Sequence, residues 1–456
     1  MPPSLDQDPA RDTVKASLAV VTRMPEWVPP FPGGDSRILS KGTDTAVGAK
    51  IVEVRRMRTV AVVIAVIWLT AGLPLAGGAW APPSTIRLGA VVPLTGRYAS
   101  GGAQVKVGYE FALQDINGRG GVQVGGRRVP LEATILDDES DPTKTVSRFE
   151  ALASEGVVTL LGGFGSDLHA AAAAVAEKNR IPYCGVAFSL HAIHEHGFRY
   201  LFSPFPKSPE LASETYRFLN ASIPAGERPR RVAIFQERTD WGRELGDLWT
   251  ARSRENGFQV VLRADYTPLA RDLSDIILRA KNEGADAVFS VPTPPDGITM
   301  IRQMKELDFT PKVILMFRAA DAVSWTRALG KDGDGVLLGP GWHHAVQFPG
   351  VQELNAKHEQ RFGRPADVIV GPAYACVQIV ANGIERAGRL DPGAIRDAMA
   401  ATNMQTVVGP VRFRPDGTGI VPAVFVQWQE GKQELVWPKA LGAARLLYPV
   451  PPWRGR

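Results

Sequence analysis

The sequence predicts an α/β protein of two similar lobes, each a parallel sheet with helices on both faces. Three observations predict it. Short β-branched runs alternate with amphipathic stretches, the same unit order occurs twice, and a segment with three prolines divides the two occurrences. At 456 residues the chain is long enough to bury two cores of ordinary domain size.

The first series runs through a strand at 86–92, a helix at 104–117 ended by Gly118, and a strand at 131–137. A helix at 143–154 follows, opened by Asp141-Pro142, a capping residue before a proline of the first turn. A strand at 157–161, an Ala-rich helix at 167–179 and a strand at 182–188 complete the series. The pattern pauses over the proline-rich stretch 200–209 and restarts. Strands are then predicted at 231–235, 259–266, 287–291 and 312–316, with helices at 241–256, 273–282 and 298–307 between and after them. A second break, Gly339-Pro340-Gly341, follows a short strand at 336–338. Helices at 351–362, 372–387 and 392–401 come next, then strands around 411–414, 423–429 and 434–437. The remaining C-terminal tail reads as loosely attached. The economical division puts 84–203 with 340–408 in one lobe and 204–339 with 409–440 in the other. Three crossings would then form a three-strand hinge suited to rigid-body closure.

The N-terminal region does not read as fold. Arg55, Arg56 and Arg58 precede an apolar run over 60–75, which leads into Gly77-Gly78-Ala79-Trp80-Ala81. A basic start, a short apolar centre and a small-residue end make 57–81 a secretory signal peptide. The run is short for a spanning helix and is broken by Gly72 and Pro74; a buried helix or a permanent anchor is the alternative. Residues 1–56 are rich in proline and polar residues without a sustained period. They read as an over-called extension, with translation starting at Met57, or as a disordered cytoplasmic tail. No cysteine follows the apolar run to accept a lipid, so the mature chain is expected free in the periplasm. Cys184 and Cys376 are the only cysteines, and two cysteines alone do not argue a disulfide. The chain has 52 basic and 47 acidic residues, a formal net charge of +5. That mild excess, with no basic run in the folded part, argues against a nucleic-acid partner.

Ligands of open parallel sheets bind outside the carboxyl ends of the strands, so the loops after the strands carry the candidate site. After the first strand, 93–102 combines glycines and hydroxyls around Tyr98, either to let backbone approach a ligand or simply to turn into a helix. After the third, Gly162-Gly163-Phe164-Gly165-Ser166-Asp167 leads straight into a helix. Backbone N–H groups there, with the Ser166 hydroxyl, suit a carboxylate; the rival reading makes Ser166 a helix cap alone. The next strand ends Ala187-Phe188-Ser189, a second hydroxyl at the same edge. In the second lobe, Trp241 opens a helix after a strand and either covers a ligand or packs in the core. Thr293 and Arg318 occupy equivalent positions after later strands, and the Arg318 guanidinium could fork a carboxylate or sit on the surface. His191, His194, Glu195 and His196 lack metal-ligand spacing and read as a solvated loop. Asp332-Gly333-Asp334-Gly335 lacks the closing ligands of a calcium loop and reads as a turn. With no nucleophile motif and no cofactor fingerprint, the expectation is a binding protein without metal or cofactor, not an enzyme.

These residues carry a family resemblance. Residues 86–96 (Ile-Arg-Leu-Gly-Ala-Val-Val-Pro-Leu-Thr-Gly), Asp115-Ile116-Asn117 with Gly120-Gly121-Val122, and Asp137-Asp138 with Asp141-Pro142 begin it. Thr239-Asp240-Trp241-Gly242 and Gly409-Pro410-Val411-Arg412-Phe413 continue it. In that order over 84–440 the chain resembles the periplasmic ligand-binding proteins of the Leu/Ile/Val-binding type, which have the type I periplasmic-binding fold. The resemblance implies two Rossmann-like lobes, a monomer, and delivery of a small-molecule ligand to the permease and ATPase subunits of an ABC importer in the inner membrane. It also implies that Ser166, Ala187 (backbone) and Ser189 hold a carboxylate and that Trp241 supplies an aromatic wall, with Thr293 where another aromatic often stands. Amino-acid binders of this type place an acid in the loop after the strand ending at Met316. Here Ala319 takes that place beside Arg318, with Asp321 nearby. A buried ammonium without a partner is costly, so the implied ligand is a carboxylate lacking an amine, aromatic acids included; an amide or amino acid held by Asp321 stays open. A ligand sensor signalling to a regulatory partner through the same fold is the alternative function, and an exported enzyme with a dispersed triad is a third.

Overall fold

The computed structural model describes residues 83–454. The expected signal peptide at 57–81 and the stretch 1–56 lie outside the described residues. Among the described residues, no helix is long and apolar enough to cross a membrane.

Two parallel-stranded sheets organise the chain. The first has the order β4-β1-β5-β6-β7, made by β1 (Ile86–Val92), β4 (Leu131–Asp137), β5 (Thr159–Leu161), β6 (Tyr183–Cys184) and β7 (Leu201–Phe202), all parallel. β1 is buried on both faces apart from Arg87, as expected of a central strand covered by helices above and below. Those helices are α1 (Ala99–Gly118), α2 (Pro142–Ser154) and α3 (Ser166–Asn179). Asp141 caps α2 by accepting from the Thr143 and Lys144 amides, with Pro142 in the first turn. A small hairpin, β2 (Val122–Val124) with β3 (Arg127–Val129), lies between α1 and β4. A single turn, α4 (Ala192–Glu195), falls between β6 and β7.

The second sheet has seven strands. β8 (Arg231–Glu237), β9 (Gln259–Tyr266), β10 (Ala287–Ser290), β11 (Val313–Met316) and β12 (Val336–Leu338) are parallel, in the order β12-β11-β10-β8-β9. Their connecting helices are α5 (Ser208–Ser222), α6 (Asp240–Glu255), α7 (Ser274–Asn282), α8 (Pro294–Glu306) and the short α9 (Ser324–Leu329). Thr239 caps α6 and Thr293 caps α8, each accepting an amide of the first turn. Three further helices, α10 (Val351–Phe362), α11 (Val370–Ala387) and α12 (Pro392–Ala400), return to the first sheet. There α11 lies so close to α1 that a side chain at Gly108 would meet the Val370 carbonyl oxygen at 2.4 Å.

A three-stranded sheet of β13 (Asn403–Thr406), β14 (Gly409–Phe413) and β15 (Gly419–Ile420) stands apart from both large sheets. The chain then ends as β16 (Phe425–Gln429) and β17 (Lys432–Trp437), which join β12 antiparallel and complete the second sheet. The chain thus leaves the first sheet after Phe202, returns after Leu338 and crosses again before Phe425. The first and third passages touch, through a bridge between Ser203 and Thr418 with Gly419 N donating to Ser203 O at 2.8 Å.

The tail corrects the sequence reading. It is a strap rather than a loose end: Val450 N donates to Lys312 O at 3.0 Å, and the buried Trp453 indole donates to Phe309 O at 2.9 Å. Gln427 holds Leu447 from both sides, its Nε2 donating to the carbonyl at 2.9 Å and its Oε1 accepting the amide at 2.8 Å. Trp453→Ala should therefore lower stability by about 3 kcal/mol, the usual cost of deleting a buried aromatic ring. Urea unfolding measures it, and an unchanged midpoint would mean the strap contributes nothing.

Candidate functional site

The carboxyl ends of both sheets face one gap. The loops after β5 and β6 are zipped together on the first-lobe side, by a bridge between Phe164 and Ala187 and by Gly165 N donating to Ala187 O at 3.0 Å. Gly165 has φ +111, and a side chain there would strike the Tyr98 ring at 2.7 Å. That residue turns the chain directly into α3, so Ser166 is its first residue, buried, with its hydroxyl 3.4 Å from the Leu190 amide that donates to it. Ser189 is buried beside it, and its carbonyl accepts from both the amide and the hydroxyl of Ser208, at 2.8 and 2.9 Å.

Two cavities remain in the gap, of about 30 and about 40 Å³. Both touch Ser166, Trp241 and Arg318. The first also reaches Ala187, Ser189 and Asp321, the second Tyr98 and Asp167. Such volumes admit a few water-sized guests and no larger solute, so the two sides are shut. Further bonds hold them: Glu244 of α6 accepts from the His191 and Ala192 amides at 2.8 and 2.9 Å, and Gln104 of α1 donates to Asp321 O at 3.2 Å.

Six of the seven expected residues come together here: Tyr98, Ser166, Ala187, Ser189, Trp241 and Arg318. Thr293 does not. It is wholly buried as the cap of α8, its hydroxyl donating to Asp296 Oδ2 at 2.7 Å, because that loop folds into its own helix start. Trp241 lines both cavities while its indole N–H donates to Ser208 Oγ at 3.1 Å.

Arg318 has a different role from the expected one. It is neither a surface residue nor a free fork for a carboxylate. Its guanidinium forms a buried ion pair with Glu237 and donates to Val291 O at 2.6 Å, Pro292 O at 3.2 Å and Tyr98 Oη at 3.2 Å. Of the five N–H bonds of an arginine, one is left over. The cation also lies 5.3 Å from the Tyr98 ring centre and 5.1 Å from that of Trp241. Burial raises the Glu237 carboxyl against the opposing pull of this guanidinium. His194 is likewise not on a solvated loop: it is buried, stacked on Phe188 with ring centres 5.6 Å apart, and its Nδ1 lies 2.8 Å from Asp416 O.

Asp321 is the acid that the sequence placed near the expected position and left open. Arg318 takes φ +71, and this left-handed step turns the loop so that Ala319 is buried near Gly297 of α8 while Asp321 faces the cavity. Its carboxyl is buried, with Oδ1 lacking any hydrogen-bond partner. Burial pushes it up to about 8, against the lowering effect of Arg318. A backbone turn of this kind leaves no mark that residue counting can detect.

Parallel sheets meeting carboxyl end to carboxyl end over a small gap define a two-lobed α/β protein of the solute-binding class. The chain belongs to the periplasmic binding protein family, whose pattern matches residues 85–433. A Leu/Ile/Val-binding protein homolog 8 of Brucella abortus is 24% identical over 378 residues, covering 80% of this chain and 93% of the relative. The leucine-binding protein LivK of Thermotoga maritima shares the fold with a TM-score of 0.70 at 22% identity, over 77% of this chain and 97% of that one. A solute-binding protein from R. palustris in complex with benzoate does so with a TM-score of 0.66 at 18% identity, over 77% and 95%. The chain is thus a periplasmic binding protein, similar in sequence to proteins of the Leu/Ile/Val-binding type.

Two tests follow from the site's charges. Arg318→Met strands Glu237 in a buried position and should cost roughly 3–5 kcal/mol, whereas Glu237→Gln in the same chain should recover much of it. Denaturant midpoints decide; equal losses in single and double variants would refute the pairing. For Asp321, the folded value near 8 stands above the unfolded value of about 4. Between those limits the folded chain keeps a proton that the unfolded chain has released, so this group's cost to folding grows as pH rises. Asp321→Asn should then be more stable than the native chain at pH 7 and equal to it near pH 4. Parallel pH profiles would show that the carboxyl is not held at a raised value.

Proposed function

We propose that the protein is the extracytoplasmic receptor of an ABC importer, opening its two lobes to admit a small solute and closing them around its carboxylate. The family supports the importer role and the export of the chain, and the site supports the ligand reading. Ser166 and Ser189 offer hydroxyls at the start of α3, where backbone donors favour an anion. Asp321 supplies the opposite chemistry. A buried carboxyl oxygen without a partner, on the same cavity as two serines and an indole, is the observation that carries the reading. A solute with both a carboxylate and an ammonium matches both ends, as in an α-amino acid. This revises the expectation of an amine-free acid, which rested on Ala319.

A second reading keeps one observation in its favour. With its carboxyl near 8, Asp321 is mostly protonated at neutral pH and could donate to a neutral or purely anionic ligand such as an aromatic acid. The benzoate complex of the R. palustris relative shows that this fold can hold one.

The pH dependence separates the two. An ammonium requires ionised Asp321, so binding releases a proton and affinity should rise by about tenfold per pH unit up to pH 8. An aromatic acid should bind as well or better as pH falls. A thermal-shift screen of amino acids, amides and aromatic acids on the purified protein, repeated at pH 6 and 8, reads this directly. A ligand at 100 times its dissociation constant adds about 2.7 kcal/mol of stability. Ser166→Ala with Ser189→Ala should abolish the shift; a full response in that double variant would remove both serines from the site.

A further inference from the structure

We infer that Cys184 and Cys376 close a disulfide that staples the strand beneath the ligand loop to helix α11. The two residues are 192 positions apart, yet their sulfurs lie 2.8 Å apart and both side chains are fully buried. Cys184 ends β6, three residues before Ala187 and five before Ser189, so it anchors the strand that presents those residues to the gap. Cys376 sits mid-way along α11, which the chain reaches only after its second passage between the sheets. No other cysteine exists in the chain to compete for either thiol.

The bond forms during folding rather than in the closed, finished protein. Burial pushes the Cys376 thiol up, and a buried, protonated thiol is a poor nucleophile. Before the helix docks, both thiols are open to a protein or small-molecule disulfide donor, the oxidant of an oxidising compartment. One cysteine thiolate attacks the donor's disulfide, forming a mixed disulfide and expelling one donor thiolate. The second cysteine thiolate then attacks the sulfur of the first, forming the Cys184–Cys376 bond and expelling the other donor sulfur as a thiolate. Two cysteine thiols lose two protons and two electrons, and the donor disulfide takes up those electrons as a dithiol. A staple joining segments so far apart in the chain removes much freedom from the unfolded state.

The inference rests on the proposed export only for where the donor is met, so the test has two separable parts. The full chain is produced in a host with a periplasm and fractionated, which reads export alone. The purified protein is then unfolded, reduced, refolded in a glutathione redox couple, and denatured again with an alkylating reagent present. The expected product takes up no alkyl group until reductant is added, and its mass is two hydrogens below that of the reduced chain. The Cys184→Ser and Cys376→Ser variants should each take up one group throughout. Oxidised protein should also unfold several degrees above the same protein after reduction. Two alkyl groups on the refolded native chain, or identical midpoints with and without reductant, would overturn the staple whatever the fractionation shows.

Discussion

A guanidinium can be kept between two sheets only if most of its donors are matched, and the matching of Arg318 organises this molecule. Arg318, just after β11, finds its partners at the ends of the next two strands of the second sheet: Glu237, the last residue of β8, and Val291 and Pro292 after β10. One arm reaches Tyr98 across the gap, and two aromatic rings lie against it. Removing such a cation from water is expensive, so the arrangement tolerates little slack. The loops that could have wandered independently are thereby drawn to one point.

That point also sets the form of the site. Because Arg318 is spent on the protein's own groups, it neutralises Glu237 rather than a ligand, while Asp321 faces the first cavity with an unused oxygen. The unused oxygen is a cost to the unliganded chain, and a cost of that kind is relieved by a partner of opposite charge. In the proposed reading, stability and recognition therefore pull in opposite directions at Asp321, as binding sites often require.

The secondary elements were largely legible because each carried a local physical signature. Asp141-Pro142, Thr239 and the glycines after helices mark ends through hydrogen bonding and backbone freedom, and these act within a few residues. The strands of the parallel sheets announced themselves as short β-branched runs between amphipathic stretches. The serines after β5 and β6 were legible as candidates because the alternation of elements puts those loops at one edge. Thr293 was misplaced since capping and ligand contact ask for the same residue type at the same loop position. The tail was misread because its anchors, Val450 and Trp453, are isolated apolar residues whose partners lie near residue 310.

By itself, then, the amino-acid sequence determined the two-lobed α/β plan, the family and the loops that meet at the candidate site, for these rest on periodicity, caps and motif order along the chain. Only the tertiary structure decided which groups remain available. Whether Arg318 is free or consumed, whether position 319 or 321 meets the gap, and whether Cys184 finds Cys376 all depend on contacts between residues far apart in sequence and on a single left-handed turn. Hydrogen-bond capacity and desolvation are properties of a packed neighbourhood, and that neighbourhood exists only once the chain has closed on itself.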